Sequence, residues 1–243
     1  MSDNRATVSN VKALLFDVFG TVVDWRTSLI ADFTAWAKRT GKRGDWTALV
    51  DAWRGAYVPS MDEVRKHPER GYLNLDALHH ASLLRLVAEL KIEGLGAEDL
   101  AYLTTGWHRL SPWPDSVDGL TRLKRKFVIG PLSNGNVALL VNMAKAAGLP
   151  WDLILSAEVF QHYKPDPETY LGAARLLGLD PGQVMLVAAH NSDLRAAQNV
   201  GLATCFVPRP TEYGPLQSRD FAPEGEWTMV VSDLRDLADR LGC

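Results

Sequence analysis

The sequence has few cysteines, no long apolar run and no excess of charge of either sign. Only Cys205 and Cys243 occur among the 243 residues, so a framework of disulfide bonds is not expected. No run of about 20 apolar residues is present, which argues against a membrane-spanning helix. The 26 basic and 29 acidic residues leave a formal charge of −3. Such a balance argues against a nucleic-acid partner and against binding to a membrane surface.

The first ten residues, MSDNRATVSN, are polar and lack the apolar centre of a secretion signal. Together with the scarcity of cysteine, this segment predicts a protein of the reducing cytoplasm.

The chain does contain enough apolar residues for a large core. Hydrophobic residues make up 47% of it, which suits one large domain or a domain with a smaller one inserted. Strand and helix patterns alternate from residue 127 onward, after a first apolar strand near the N-terminus. The predicted strands are 11–16, 127–133, 152–156, 183–189, 203–207 and 228–232. Such alternation predicts right-handed βαβ crossovers, and therefore an α/β fold with a doubly wound, Rossmann-like parallel sheet.

A long helical region separates the first predicted strand from the others. Its apolar residues recur at helical spacing, and no convincing strand interrupts them. The segment SPWPDS, residues 111–116, is rich in proline and turn residues and ends this region. We therefore expect an α/β core domain formed by residues 1–25 and 111–243, with a helical cap domain formed by residues 26–110.

Polar side chains follow several of the predicted strands. In open parallel sheets, ligands bind beyond the carboxyl ends of the strands. Each polar residue taken alone also fits a turn, a helix cap or a surface position. Their convergence on one edge is what indicates a functional site. The residues are Asp17, Ser133, Asn134, those at 162–164 and those at 190–193.

Four short motifs, in this order, resemble those of the haloacid dehalogenase superfamily. They are FDVFGT at 16–21, LSNGN at 132–136, YKPDPETY at 163–170 and VAAHNSD at 187–193. Members of that superfamily have a doubly wound core and a nucleophilic aspartate. Within it, the chain looks most like the L-2-haloacid dehalogenases, also called type II haloacid dehalogenases. The segment AWRGAY at 52–57 lies where that family has a halide-binding arginine.

Most members of the superfamily are phosphatases, and two positions argue against that activity here. Phosphatases have a second aspartate two residues after the nucleophile, whereas this chain has Phe19, which cannot act as a general acid. A phosphate dianion beside a carboxylate also needs a metal, because each like-charge pair at ~4 Å costs about 4 kcal/mol at an effective dielectric constant of ~20. The position of a principal magnesium ligand is Ala189. A halide leaves as a stable anion and needs neither group, so we expect no metal and no other cofactor.

The resemblance implies covalent catalysis in two steps. Asp17 attacks the α-carbon of a short 2-halocarboxylate from the side opposite the halogen, and an aspartyl ester forms. Water then hydrolyses the ester at the carbonyl carbon of Asp17. Only the first step inverts the α-carbon, so an L-2-haloacid gives a D-2-hydroxy acid and a haloacetate gives glycolate.

The resemblance also implies roles for residues around the nucleophile. Lys164 pairs with Asp17 and keeps it ionised, Thr21 fixes its loop or contacts its carboxylate, and Asp193 orients or activates water. His190 stands where family members commonly have asparagine, and Ala188 where they have serine. We therefore expect a rearranged hydrogen-bond network in which His190 donates to a carboxylate or assists the water that hydrolyses the ester.

Substrate-binding roles follow in the same way. Ser133 donates to the substrate carboxylate, Asn134 to the departing halide, and Arg54 stabilises the developing halide charge. The Tyr170 hydroxyl reaches the site. Candidate apolar walls are Phe19, Val58 and Leu75.

Three alternatives to the dehalogenase remain open at this point. One is a related hydrolase that displaces another leaving group from a 2-substituted carboxylate. The others are a Mg²⁺-dependent phosphatase and a non-catalytic binding protein with the same fold. The resemblance further suggests a homodimer.

Overall fold

Six parallel strands form one sheet at the centre of the protein. The structure is a computed structural model that describes residues 8–243, so most of the segment examined for a secretion signal lies outside the described residues. The strands of this sheet are β1 Ala13–Phe16, β4 Val128–Ser133, β5 Leu155–Ser156, β6 Val184–Ala188, β7 Ala203–Phe206 and β8 Met229–Val230; β2 and β3 form a separate pair described below. The six strands lie in the order β5-β4-β1-β6-β7-β8, and each neighbouring pair is parallel. The predicted doubly wound α/β fold is confirmed.

The strand order explains where a ligand site belongs. From the central strand β1 the chain runs to β4 and β5 on one side, and then returns to β6, β7 and β8 on the other. Such a reversal leaves a crevice beyond the carboxyl ends of the strands on either side of it. Asp17 directly follows β1 at this crevice. Ser133 ends β4, and His190 lies two residues after the end of β6.

The edge strand β5 is shorter than the predicted strand 152–156. The side chain of Asp152 accepts a hydrogen bond from the backbone N–H of Ile129 at 2.9 Å. The backbone N–H of Asp152 donates to the Ile129 carbonyl at 2.9 Å. A side chain thus satisfies a backbone donor that a continuing strand would have paired, and only Leu155 and Ser156 remain in the ladder.

Four helices lie between two short strands near the predicted hinges. β2 (Val23–Asp24) pairs antiparallel with β3 (Ser111–Pro112). Between them come α1 Trp25–Thr40, α2 Trp46–Lys66, α3 Leu75–Glu89 and α4 Ala97–Thr104, with 3₁₀ segments at Pro68–Arg70 and Thr105–Arg109. Asp24, Asp45 and Asn74 begin the first three helices by accepting a backbone N–H near the helix start.

The remaining helices flank the sheet. They are α5 Ser116–Leu123, α6 Val137–Ala147, α7 Ala157–Phe160, α8 Pro167–Leu176, α9 Asn191–Asn199 and α10 Leu234–Arg240. α6 ends at Gly148, whose φ of 68° is the left-handed conformation that glycine adopts without strain. No helix among the described residues is long and apolar enough to cross a membrane.

A buried ion pair fixes the long loop after β7. Both terminal nitrogens of Arg209 donate to the Asp115 carboxylate, at 2.7 and 2.8 Å. Its Nε donates to the Thr21 carbonyl at 2.9 Å, and Asp115 also accepts the backbone N–H of Leu234. One buried arginine therefore ties the loop that follows β7 to the loop that carries Asp17.

Replacing Asp115 with alanine should lower the free energy of unfolding by about 3–5 kcal/mol, because Arg209 would keep a buried charge with no partner. Asp118→Ala is the matched control, since Asp118 pairs with Arg235 at the surface and such a pair contributes at most about 1 kcal/mol. Urea denaturation of both variants measures the difference. Equal losses for the two would contradict this account of the loop.

Candidate active site

Three side chains hydrogen-bond to the carboxylate of Asp17. Lys164 Nζ lies 2.9 Å from Oδ1. The Thr21 hydroxyl donates to Oδ2 at 2.7 Å, and His190 Nδ1 lies 3.0 Å from the same Oδ2. Thr21 in turn accepts the backbone N–H of Ala189 at 2.9 Å. Among the described residues, Oδ2 therefore has two donors and Oδ1 has the ammonium group alone.

The charges around Asp17 keep it ionised. Burial alone would raise the pKa of the Asp17 carboxyl, but the charges and hydrogen bonds of Lys164 and His190 outweigh it and hold the pKa well below its usual range. Burial likewise opposes the charge on Lys164. Its two neighbouring aspartates, Asp17 and Asp193, raise the pKa of the ammonium group above its ordinary value. At neutral pH the site holds a carboxylate beside an ammonium ion.

Asp193 shares Lys164 with Asp17. Lys164 Nζ lies 2.5 Å from Asp193 Oδ2, and the Tyr170 hydroxyl donates to Asp193 Oδ1 at 2.6 Å. Tyr170 is fully buried, and its hydroxyl thus orients Asp193. A single ammonium group therefore bridges the two aspartates.

His190 bridges Asp17 to a carboxylate that the sequence reasoning missed. His190 Nε2 lies 2.9 Å from Oε2 of Glu212, and Trp25 Nε1 donates to Glu212 Oε1 at 2.9 Å. Burial lowers the pKa of His190, but the charge of Glu212 and the hydrogen bonds to both carboxylates raise it well above its usual value. The imidazole is thus a cation at neutral pH, and each of its nitrogens donates to a carboxylate.

Arg54 lies among three aromatic rings beside Glu212. Its guanidinium carbon is 4.4 Å from the ring centre of Tyr57, 5.3 Å from that of Trp25 and 5.8 Å from that of Tyr213. Nη2 lies 3.4 Å from the Tyr213 hydroxyl and 3.6 Å from Glu212 Oε1. Nη1 is buried and has no hydrogen-bond partner among residues 8–243. A buried cationic donor without an acceptor is suited to bind an anion.

These groups line a cavity of about 310 Å³. Asn134 lies on its wall, and its side-chain oxygen accepts the backbone N–H of Lys164 at 2.8 Å, which leaves its amide group to donate. Phe19 is 98% buried and packs edge-on against Tyr57 and Trp107. The lining includes Asp17, Phe19, Arg54, Tyr57, Val58, Asn134, Lys164, Tyr170, His190, Ser192, Asp193, Tyr213 and Arg219.

Three predicted residues do not line this cavity. Thr21 lies beneath the Asp17 carboxylate, which it contacts directly. Ser133 is fully buried, and its oxygen accepts the Gly135 N–H at 3.1 Å. Leu75 lies in the hydrophobic core at the start of α3, so the expectation that it forms a pocket wall is wrong. Its apolar side chain packs inside the helical region, as most leucines do.

Sequence reasoning left the segment PRPTEYGP, residues 208–215, without a role. It supplies Tyr213 to the cavity wall and Glu212 to the His190 side chain behind it, and Arg219, which also lines the cavity, follows shortly after. The signal available in the sequence was a glutamate and a tyrosine within a loop that follows a predicted strand. Their partners Trp25 and Arg54 lie more than 150 residues away in sequence, so no local pattern could reveal these contacts.

A separate group of side chains has the spacing of metal ligands. His162, Asp166 and Glu168 bring their ligand atoms within 4.8 Å of one another at the protein surface. Asp166 is already paired with Arg65, at 2.7 Å. This group lies outside the cavity described above, and it differs from the Ala189 position at which phosphatases hold a magnesium ligand.

Comparisons with known proteins agree with this geometry. A family model described as haloacid dehalogenase-like hydrolase matches residues 11–201. The crystal structure of the L-2-haloacid dehalogenase PA0810 is 50% identical with a TM-score of 0.92, over 96% of this chain and 99% of that one. The defluorinating L-2-haloacid dehalogenase Rha0230 is 48% identical with a TM-score of 0.92, over 96% of both chains. The (S)-2-haloacid dehalogenase 4A of Burkholderia cepacia is 29% identical over 95% of this chain and 100% of its own length.

The aspartate at the end of the central parallel strand and the family model that matches residues 11–201 together identify the class of hydrolase. The chain belongs to the haloacid dehalogenase-like hydrolases. Within them it belongs to the L-2-haloacid dehalogenase family, since it matches two members at about half identity over nearly their whole length.

The raised pKa of His190 predicts how stability depends on pH. The stabilisation from such a group is complete below the pKa of an unfolded histidine, about 6.5, and is lost as the pH rises through the folded pKa. The difference in free energy of unfolding between wild type and His190→Gln should therefore be largest in mildly acidic solution and shrink at alkaline pH. Urea denaturation over a pH series measures it. A difference that grows with pH would show that His190 is neutral.

Proposed function

We propose that this protein hydrolyses short 2-halocarboxylates to 2-hydroxy acids with inversion, through an ester on Asp17 and without a metal. One observation supports this above the others. The Asp17 carboxylate is buried, is kept ionised by Lys164 and His190, and lines the same cavity as the cationic Arg54. A carboxylate nucleophile and a cation in one cavity are the two groups that displacement of a halide requires.

Oδ1 of Asp17 is the attacking atom in this proposal. It has Lys164 as its hydrogen-bond partner, whereas Oδ2 already accepts from Thr21 and His190. A lone pair of Oδ1 forms the new bond to the α-carbon, and the carbon–halogen bond breaks with its electrons going to the halide. The halide then leaves towards Arg54. No proton moves in this step.

The donors on Oδ2 serve the second step. Water attacks the ester carbon, and the developing negative charge falls on Oδ2, between the hydroxyl of Thr21 and the imidazolium of His190. His190 therefore acts as an oxyanion donor. Both of its nitrogens hold protons, so it has no lone pair with which to deprotonate water.

Lys164 and Asp193 complete the proton transfers of that step. Asp193 takes a proton from the attacking water. Lys164, at 2.9 Å from Oδ1, gives a proton to that oxygen as it leaves as the hydroxyl of the product. The proton on Asp193 then returns to Lys164 across their hydrogen bond. Loss of one proton from the Asp17 carboxyl to solvent restores the carboxylate.

Two residues support a mechanism that uses no metal. Phe19 occupies the position of the phosphatase acid, and its ring packs against Tyr57 and Trp107 as part of the apolar wall. Ala189 brings no carboxylate, and its backbone N–H is used to orient Thr21. Both positions therefore serve the displacement of a leaving group that needs no proton.

The remaining substrate contacts rest on the family membership. The amide of Asn134, on the cavity wall, donates to the halide, and the backbone N–H groups after Asp17 bind the substrate carboxylate. Ser133 is expected from the sequence to share that role, but it is fully buried behind the cavity and holds the Gly135 N–H instead. The defluorinating relative supports including fluoroacetate among the substrates.

The domain division, compartment and assembly are also part of the proposal. We infer a core of residues 1–25 and 111–243 and a cap of residues 26–110, which brings Arg54 over the nucleophile. Both cysteines are free thiols, which supports a cytoplasmic location. The inference that the protein forms a homodimer rests on the family membership alone.

Incubation with L-2-chloropropionate, chloroacetate and fluoroacetate in the presence of EDTA should release halide. Asp17→Asn should reduce the release to background, because an amide oxygen is a poor nucleophile. Ion chromatography measures the halide, and Asp118→Asn, at the surface, serves as the control. Absence of halide from all three substrates would refute the proposal, and EDTA-sensitive phosphate release from a phosphoester would favour a phosphatase.

A single turnover in ¹⁸O-labelled water should place the label on Asp17 and leave the product unlabelled. The water attacks the ester carbon of Asp17, and the product keeps the original Oδ1. Mass spectrometry of the peptide that contains Asp17 measures the label. Label in the hydroxy acid after one turnover would indicate direct attack by water on the substrate.

Replacing His190 with alanine should lower kcat by about 10²–10³, the usual loss for one oxyanion donor. Because the first step keeps its nucleophile, the aspartyl ester should accumulate and be visible as a mass increase of the intact protein. His80→Ala is the control, since His80 lies on α3 and contacts Thr104 away from the cavity. Unchanged kinetics would remove His190 from the mechanism.

A further inference from the structure

We propose that the hydroxyl of Tyr213 donates a hydrogen bond to the departing halide, with an effect that grows as the leaving halide becomes more basic. Tyr213 would then be a catalytic residue of the first step, supplied by the loop after β7. The inference rests on the dehalogenase activity proposed above, and it assigns a role to a residue that the sequence motifs do not contain.

The hydrogen bonds of this hydroxyl determine where its proton points. Arg54 Nη2 lies 3.4 Å from the Tyr213 oxygen, and Arg219 Nη2 lies 3.2 Å from it. A guanidinium group can only donate, so the phenolic oxygen accepts in both cases. The two cations repel the positive end of the O–H bond. The proton is therefore directed away from both arginines and is available to an acceptor in the cavity that Tyr213 lines.

A second donor beside it also has no acceptor. Arg54 Nη1 is buried without a hydrogen-bond partner in the part of the chain that the structure describes, and it belongs to the same guanidinium group that contacts Tyr213 through Nη2. Arg54 and Tyr213 line the same cavity, so a cation and a phenol next to it form a subsite for a small anion. In the proposed reaction the halide is the anion that forms on this side of the substrate.

The phenol is held in place before substrate arrives. The backbone N–H of Tyr213 donates to Gln217 Oε1 at 2.8 Å, and its ring packs edge-on against Trp25 with 5.6 Å between ring centres. The preceding residue, Glu212, is 99% buried and bound to His190 and Trp25. A donor fixed in this way needs little reorganisation when charge develops.

Leaving halides differ in how much they depend on such a donor. Fluoride is small and accepts hydrogen bonds strongly, and the carbon–fluorine bond breaks late with most of the charge on fluorine. Bromide is large, weakly hydrogen-bonded and leaves readily. A hydrogen bond strengthens as negative charge develops on its acceptor, and this gain is largest for fluoride. Loss of one O–H donor should therefore slow release of fluoride most. The Tyr213 proton stays on oxygen throughout.

The test compares kcat/KM of Tyr213→Phe and wild type on fluoroacetate, chloroacetate and bromoacetate. We expect a loss of about 10²-fold on fluoroacetate, a smaller loss on chloroacetate and less than about 5-fold on bromoacetate. The ratio of the kcat/KM values for two substrates does not depend on what fraction of the variant is folded. Tyr102→Phe is the control, because its hydroxyl contacts Asp32 away from the cavity and its removal should leave the ratios unchanged.

A second readout is inhibition of bromoacetate turnover by added fluoride, which should weaken in Tyr213→Phe and stay unchanged in Tyr102→Phe. Equal losses on all three haloacetates, together with unchanged inhibition by fluoride, would overturn the proposal and leave Tyr213 as a residue that positions Arg54. If wild type releases chloride and bromide but no fluoride, the comparison is made between the other two substrates. A greater loss of kcat/KM on chloroacetate than on bromoacetate then supports the proposal, and equal losses overturn it. Wild-type protein that releases no halide at all would instead refute the dehalogenase activity itself.

Discussion

The ammonium group of Lys164 between Asp17 and Asp193 is the contact on which the rest of the site depends. Burying a carboxylate costs several kcal/mol unless opposite charges and hydrogen bonds offset it. Lys164 supplies that offset to two aspartates at once, at 2.9 and 2.5 Å. Without it, the buried Asp17 carboxylate would lose the largest of the charges that hold its pKa down. The ion pair therefore sets the chemistry before any substrate binds.

The buried charges of the site balance when His190 is protonated. His190 lies between two carboxylates, and this arrangement raises its pKa and lowers that of Glu212. Arg54, which lies among three aromatic rings and near Glu212, is the third cation of the site. A neutral histidine would leave one carboxylate with too little compensation. The three cations are Lys164, His190 and Arg54, and the three anions are Asp17, Asp193 and Glu212.

The loop after β1, which carries Gly20, closely approaches the loop after β7, which carries Glu212, and this approach makes the charge balance possible. Gly20 has a φ of +88°, and a side chain there would collide with the carboxyl group of Glu212. The glycine of the first motif thus admits the glutamate that stabilises His190. Arg209 holds the same two loops together through Asp115 and the Thr21 carbonyl. A histidine in place of the more usual asparagine is compatible with the fold because a distant loop brings its counter-charge.

The sequence by itself determined the doubly wound sheet, Asp17 as the residue at the end of its first strand, and the four motifs that identify the family. These follow from local periodicity and from residues at short, fixed spacing. It also indicated, through Phe19 and Ala189, a leaving group that needs no proton and no metal. Only the tertiary structure decided that His190 is a cation, that Glu212 and Tyr213 belong to the site, and that Leu75 does not. Those properties depend on burial and on contacts across more than 150 residues, and neither is encoded in any local pattern.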